Sequence, residues 1–258
     1  MILMRILPGV LKELSKHVPT VLFQTVEWSE LASELPKISR RIIQKEGYED
    51  LYQVQRELLH PYNIVLTDEP LTHTKLESNP AIAEKILTLY FTQLFSSSGI
   101  FLDLRSNHFV SSNSSELKWH PTGFWTKFDE KFREGLLNVY EGFYLEDNDL
   151  YYVGLEEIGL LKPEFSADEK KELGDLFREQ FGKALDENME FNLEHFRSSI
   201  IKMSNFMLNK KVKISKDFLY LGIYLVTLYS TLEETHSKLP VKQIYLDVRG
   251  RFNAKEIR

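Results

Sequence analysis

The sequence contains no cysteine, and this absence excludes several kinds of chemistry at once. Thiol nucleophiles, iron–sulfur ligation, thiolate zinc sites and disulfide scaffolds all require that residue. Glycine and proline are also scarce, at 12 and 9 of 258 residues, whereas 43% of the chain is apolar and 12% aromatic. Collagen-like repeats and extended disorder are therefore excluded, and the length is typical of one ordinary domain or two small ones.

A surplus of basic residues is lacking as well. The chain has 32 lysines and arginines against 38 acidic residues, which gives a net charge of −6. A general nucleic-acid binder needs a basic surplus to displace counterions from the phosphates. We therefore expect no nucleic-acid partner.

Long hydrophobic runs are missing too. The longest, residues 218–232, has 15 residues and contains Tyr220, Thr227 and Ser230, whereas a membrane-spanning helix needs about 20 apolar residues. It predicts a buried core helix, with a membrane-facing helix as the alternative. The apolar start, residues 1–11, is too short for a signal peptide and has no positive region before it. We expect a cytoplasmic protein without a transmembrane segment.

Apolar residues at helical spacing dominate what is present. They predict a helix over 27–59, with one side formed by Leu31, Leu35, Ile38, Ile42 and Ile43. Ser78, Asn79 and Pro80 are typical of a helix start, and Gly99 of the end of that helix. Further helices are predicted from Asp129, over 150–161, from the capping box Ser166–Glu169, and over 191–208, 218–232 and 241–248.

Short β-branched and aromatic runs predict a small β element between about 62 and 120. Ile64–Leu66 reads as a strand, and two strand-like pieces, 100–102 and 109–110, flank the polar turn 103–108. A loop over 111–115 then leads to Leu117, Lys118 and Trp119. The predicted fold class is therefore mainly α (α+β), with no linker that would divide the chain.

The stretch from Leu94 to Val110 resembles the UbiB/AarF/ADCK group of atypical kinase-like proteins. It follows the outline of the family's segment His-x-Asp-x-His-Pro-Gly-Asn, and Gly123 stands at the glycine of the later Asp-Phe-Gly segment. Three other stretches resemble parts of the family. Residues 42–48 resemble its helix ending in Glu-x-Asp, with Tyr48 in place of the aspartate. Residues 63–71 resemble its hinge strand, and residues 219–239 resemble its late apolar helix. Residues 133–137 match the helix after Asp-Phe-Gly.

The resemblance implies a single kinase-like domain over 1–258, mostly the helical C-terminal lobe. The N-terminal lobe would be reduced or missing, and residues 1–60 would form a helical extension packing on the domain. It also implies roles for four residues. Asp103 would be the catalytic-loop acid, and the cofactor-binding candidates would be Asn107, His108 and Glu46.

The departures from the family pattern concern the groups that phosphoryl transfer needs for charge neutralisation. The metal-binding carboxylate is replaced by Pro121, between His120 and Thr122, and the catalytic-loop amide by His108, with Asn107 one residue early. No glycine-rich phosphate loop precedes Glu46, where the lysines of the helical pattern are Lys12 and Lys16. The resemblance therefore implies a pseudokinase-like scaffold without a cofactor, tied by family analogy to lipid or isoprenoid-quinone metabolism.

Two other functions stay open: a residual ATP-binding phosphotransferase or ATPase that uses Asp103 with ATP and Mg²⁺, and an unrelated helical protein-interaction module. Asp103 is more typical of a turn residue that bonds the backbone of its own loop than of a vestigial catalytic or substrate-orienting acid. His108 and His120 could share a metal, but no third ligand stands at a motif spacing, so we assign no metal site and ordinary loop histidines are the alternative. Trp119 and Trp125 favour core packing over base stacking.

Two basic segments bear on the partner. One is the lysine run, defined here as Lys210, Lys211, Lys213 and Lys216; the other is the tail with Arg249, Arg251, Lys255 and Arg258. Each is typical of a solvated surface and, alternatively, of contact with anionic lipid. We expect a protein partner or a lipid-like ligand, with peripheral contact at the inner face of a membrane as the open alternative.

Overall fold

The computed structural model describes residues 20–27, 29, 33, 36–37, 40–41, 46–69, 71, 76, 79–113, 116–182, 184–185 and 188–256. The predicted mainly α (α+β) class is confirmed. The helices are α1 (Thr20–Thr25), α2 (Tyr48–Leu59), α3 (Pro80–Phe95), α4 (Glu130–Tyr144), α5 (Asn148–Glu157), α6 (Ala167–Gln180), α7 (Leu193–Asn209), α8 (Lys216–Glu234) and α9 (Val241–Glu256). The strands are β1 (Ile64–Leu66), β2 (Ile100–Phe101), β3 (Phe109–Asn113), β4 (Glu116–Trp119), β5 (Trp125–Thr126), β6 (Met189–Glu190) and β7 (Lys238–Leu239).

Two helix starts follow directly from the local sequence. The Asn79 side chain accepts a hydrogen bond from the Ala81 N–H at 2.9 Å, and Pro80 occupies the first position of α3. At α6, Ser166 and Glu169 form both bonds of the predicted capping box. These caps satisfy N–H groups that have no partner within the helix.

The single helix predicted over 27–59 is wrong, because the chain turns at Glu46 and Gly47 before α2 begins. Gly47 has φ 69°, a left-handed conformation that suits glycine, and a Cβ there would lie 2.7 Å from the Trp125 ring. The side chains predicted for one face of that helix lie outside the described residues, as do the signal-peptide region and several other singled-out positions: Leu31, Leu35, Ile38, Ile42, Ile43, residues 1–11, Lys12, Lys16, Ser78 and Arg258. Helix α3 likewise ends at Phe95, before the predicted stop at Gly99.

The chain folds into two compact units, each assembled from separate stretches. The first takes its residues from 1–37, 128–182 and 194–226, and the second takes them from 38–127, 183–193 and 227–258. The single domain expected over 1–258, with an extension over 1–60, stays a prediction.

The second unit contains the predicted β element. Strand β4 lies between β1, which is parallel to it, and β3, which is antiparallel to it. The predicted loop over 111–115 is wrong for Ser111–Asn113, because these residues extend β3 and pair with β4; Ser114 and Ser115 lie outside the described residues. Strands β2 and β5 form a separate antiparallel pair, as do β6 and β7.

Helix α3 contributes buried apolar side chains to the core of the second unit, and α9 packs on it. The Tyr245 ring meets Phe91 edge-on at 5.4 Å and lies 5.8 Å from Phe95, measured between ring centroids. The side chains of Ile82, Ile86 and Leu89 on α3 are fully buried.

The first unit is built around the hairpin of α4 and α5. Glycines bring the two backbones close: a Cβ on Gly142 would lie 2.4 Å from the Tyr151 nitrogen. Phe181 stacks on Phe143 at 4.4 Å between ring centroids, which joins the end of α6 to α4.

The apolar run 218–232 forms most of α8 and is buried, as predicted. Among the described residues, no helix combines the length and the apolar character needed to cross a bilayer.

Candidate functional site

Asp103 lies between β2 and a short 3₁₀ turn, Ser106–His108, in the second unit. Helix α8 fixes the backbone on both sides of it. The Thr227 hydroxyl donates to the Leu102 carbonyl at 3.1 Å and accepts from the Leu104 N–H at 3.2 Å. The Thr231 hydroxyl donates to the Leu104 carbonyl at 2.6 Å. The two threonines are one helical turn apart, so a single face of α8 holds the Asp103 segment.

The Asp103 carboxylate is fully buried, and both of its oxygens accept hydrogen bonds. Oδ1 accepts from the Arg105 Nε at 2.8 Å and the Arg105 backbone N–H at 3.3 Å. Oδ2 accepts from the Arg105 Nη2 at 2.7 Å and lies 3.1 Å from the His108 Nε2. The bidentate arginine geometry is the strongest kind of carboxylate pairing.

These partners reverse the effect of burial on the Asp103 pKa. Burial in an apolar environment raises a carboxyl pKa because it penalises the charged form. The hydrogen bonds from Arg105 and His108, together with their charges, oppose that effect and lower the pKa of Asp103 to about 2. The carboxylate is thus ionised at neutral pH, with both oxygens already hydrogen-bonded.

The structure brings only one cofactor-binding candidate to Asp103. His108 contacts it directly, but Asn107 is exposed in the 3₁₀ turn and is not among its partners. Glu46 is exposed before α2, and its backbone carbonyl accepts from the Trp125 Nε1 at 3.2 Å.

Pro121 stands where the family pattern has its metal-binding carboxylate, and only its backbone offers a polar group there. Pro121 is buried, and its carbonyl accepts a hydrogen bond from the Tyr48 hydroxyl at 3.1 Å. Beside it, the His120 Nδ1 lies 2.9 Å from the Thr67 carbonyl oxygen. Within the described part of the chain, no three His, Asp or Glu side chains form a group able to hold a metal ion.

The two tryptophans lie in different environments. Trp119 is fully buried between Phe101, which meets it edge-on, and Phe109, which stacks on it, so the core-packing prediction is confirmed there. Trp125 is half-buried, with the Arg41 guanidinium 4.5 Å from its ring centroid.

The lysine run, in the first unit, is partly occupied by protein contacts. The Lys210 ammonium pairs with the Glu169 carboxylate, and the Lys213 ammonium donates to the Gln24 carbonyl at 3.0 Å. In the basic tail, the Arg251 guanidinium lies 4.4 Å from the centroid of the Tyr62 ring.

Sequence reasoning selected Asp103 and His108 but missed Arg105, Thr227 and Thr231. The spacing of Arg105 two residues after Asp103 could have indicated their ion pair, because a turn lets two such side chains contact each other. The threonines carried a weaker signal, two hydroxyls four residues apart in an apolar helix. Compared with known proteins, the chain matches no family model and no curated protein.

Proposed function

We propose that the protein is a non-catalytic, pseudokinase-like scaffold or regulatory protein of the UbiB/AarF type, which acts by binding a protein partner or a lipid-like ligand. The proposal starts from the sequence resemblance around Asp103. The arrangement of the Asp103 segment supports the absence of catalysis in particular.

The observation that carries the proposal is the state of the Asp103 carboxylate. A kinase base must accept the proton of the substrate hydroxyl on a free oxygen, and its pKa should lie near the working pH. Here each oxygen accepts from Arg105, and Oδ2 also contacts His108. A pKa of about 2 makes Asp103 a poor base at neutral pH.

The two metal positions of the family pattern support the same interpretation. One is Pro121, which has no side-chain ligand, and the other is His108, whose Nε2 contacts the Asp103 carboxylate. Phosphoryl transfer depends on metal ions that neutralise the developing charge. The same residues thus favour a structural role for the segment.

A thermal-shift titration with ATP and either Mg²⁺ or Mn²⁺ tests this proposal. A ligand at 100 times its dissociation constant would add about 2.7 kcal/mol to the free energy of unfolding. We expect no rise in melting temperature at millimolar nucleotide, with or without metal. A metal-dependent rise that Asp103→Ala abolishes would contradict the proposal and support the residual phosphotransferase.

A further inference from the structure

We draw no further inference here: the strongest candidate, the open groove along one side of α6 that Asp168, Glu172, Asp175 and Glu179 line together with Leu176, is a cluster of carboxylates on a single helix, two of them already paired with lysines, and nothing in the described part of the structure shows what covers it.

Discussion

The buried Asp103 carboxylate matters both for the stability of the second unit and for the proposed absence of catalysis. The two hydrogen bonds from the Arg105 guanidinium to its carboxylate compensate for full burial, which would be costly for an isolated charge. The same contacts occupy both oxygens of the carboxylate. Its ionisation should therefore be measurable through stability.

Acid should destabilise the protein partly through Asp103. Its pKa is lowered in the folded state, from 3.8 to about 2, so its contribution is complete above pH 3.8 and is lost as the pH falls toward 2. The contribution amounts to about 2 kcal/mol of the free energy of unfolding. Urea denaturation between pH 5 and pH 2 should show an extra loss of about that size relative to Asp103→Asn.

Asp247→Asn provides the control for this measurement, since it makes the same change at an exposed aspartate of α9. It should keep the acid sensitivity of the unsubstituted chain. If Asp103→Asn lost stability with acid as steeply as the unsubstituted chain, the ionised Asp103 would not be the source.

At the scale of residues, the sequence predicts contacts between residues that are close along the chain and misses those between distant ones. Asp103 and His108 could be selected because they lie in one short turn. Thr227, which bonds the backbone of Leu102 and Leu104 on either side of Asp103, lies more than 120 positions from both, and no pattern in the sequence pairs it with them. Pro121 could be identified as a missing ligand, but its bond to the Tyr48 hydroxyl could not.

At the scale of elements, caps and periodicity predicted most helices and several strands. The starts of α3 and α6 were readable because Asn79 and Ser166 act on N–H groups two or three residues away. The break at Gly47 was missed although glycine suits its left-handed conformation, and the Trp125 ring that leaves no room for a Cβ there is distant in sequence. The extension of β3 was missed because serines favour loops unless a partner strand overrides that preference.

The helical glycines give opposite predictions for the same substitution. Alanine is the better helix former by up to about 1 kcal/mol, so Gly250→Ala in α9 should stabilise the protein, as nothing lies within 4 Å of the new Cβ. In α5, a Cβ on Gly154 would lie 2.6 Å from the Gly135 carbonyl oxygen and the Val139 nitrogen. Gly154→Ala should therefore destabilise the protein by about 1–3 kcal/mol.

Urea unfolding of the two variants under the same conditions compares these effects. The gain in helix propensity is common to both positions. A difference in sign between the two changes in the free energy of unfolding therefore reports the close approach of α4 and α5. A stabilised Gly154→Ala would mean that the two helices can separate at little cost.

At the scale of the whole molecule, charge limits the choice of partner. The net charge of −6 opposes binding to an anionic membrane, and attraction depends on local basic segments. In the lysine run, Lys210 is paired with Glu169 and Lys213 is engaged by a backbone carbonyl. Each basic residue near an anionic surface contributes about 1 kcal/mol, so the run contributes a few kcal/mol at most.

A binding free energy of a few kcal/mol corresponds to a dissociation constant of about millimolar or weaker. In a flotation experiment with phosphatidylserine vesicles at about 0.15 M salt, the intact protein should therefore stay in the bottom fraction, without the vesicles. Liposome flotation measures this directly, with neutral vesicles as the control. Flotation only with anionic vesicles would contradict the prediction. If the triple variant Lys210→Ala, Lys211→Ala, Lys213→Ala then stayed at the bottom, the lysine run would be the membrane contact.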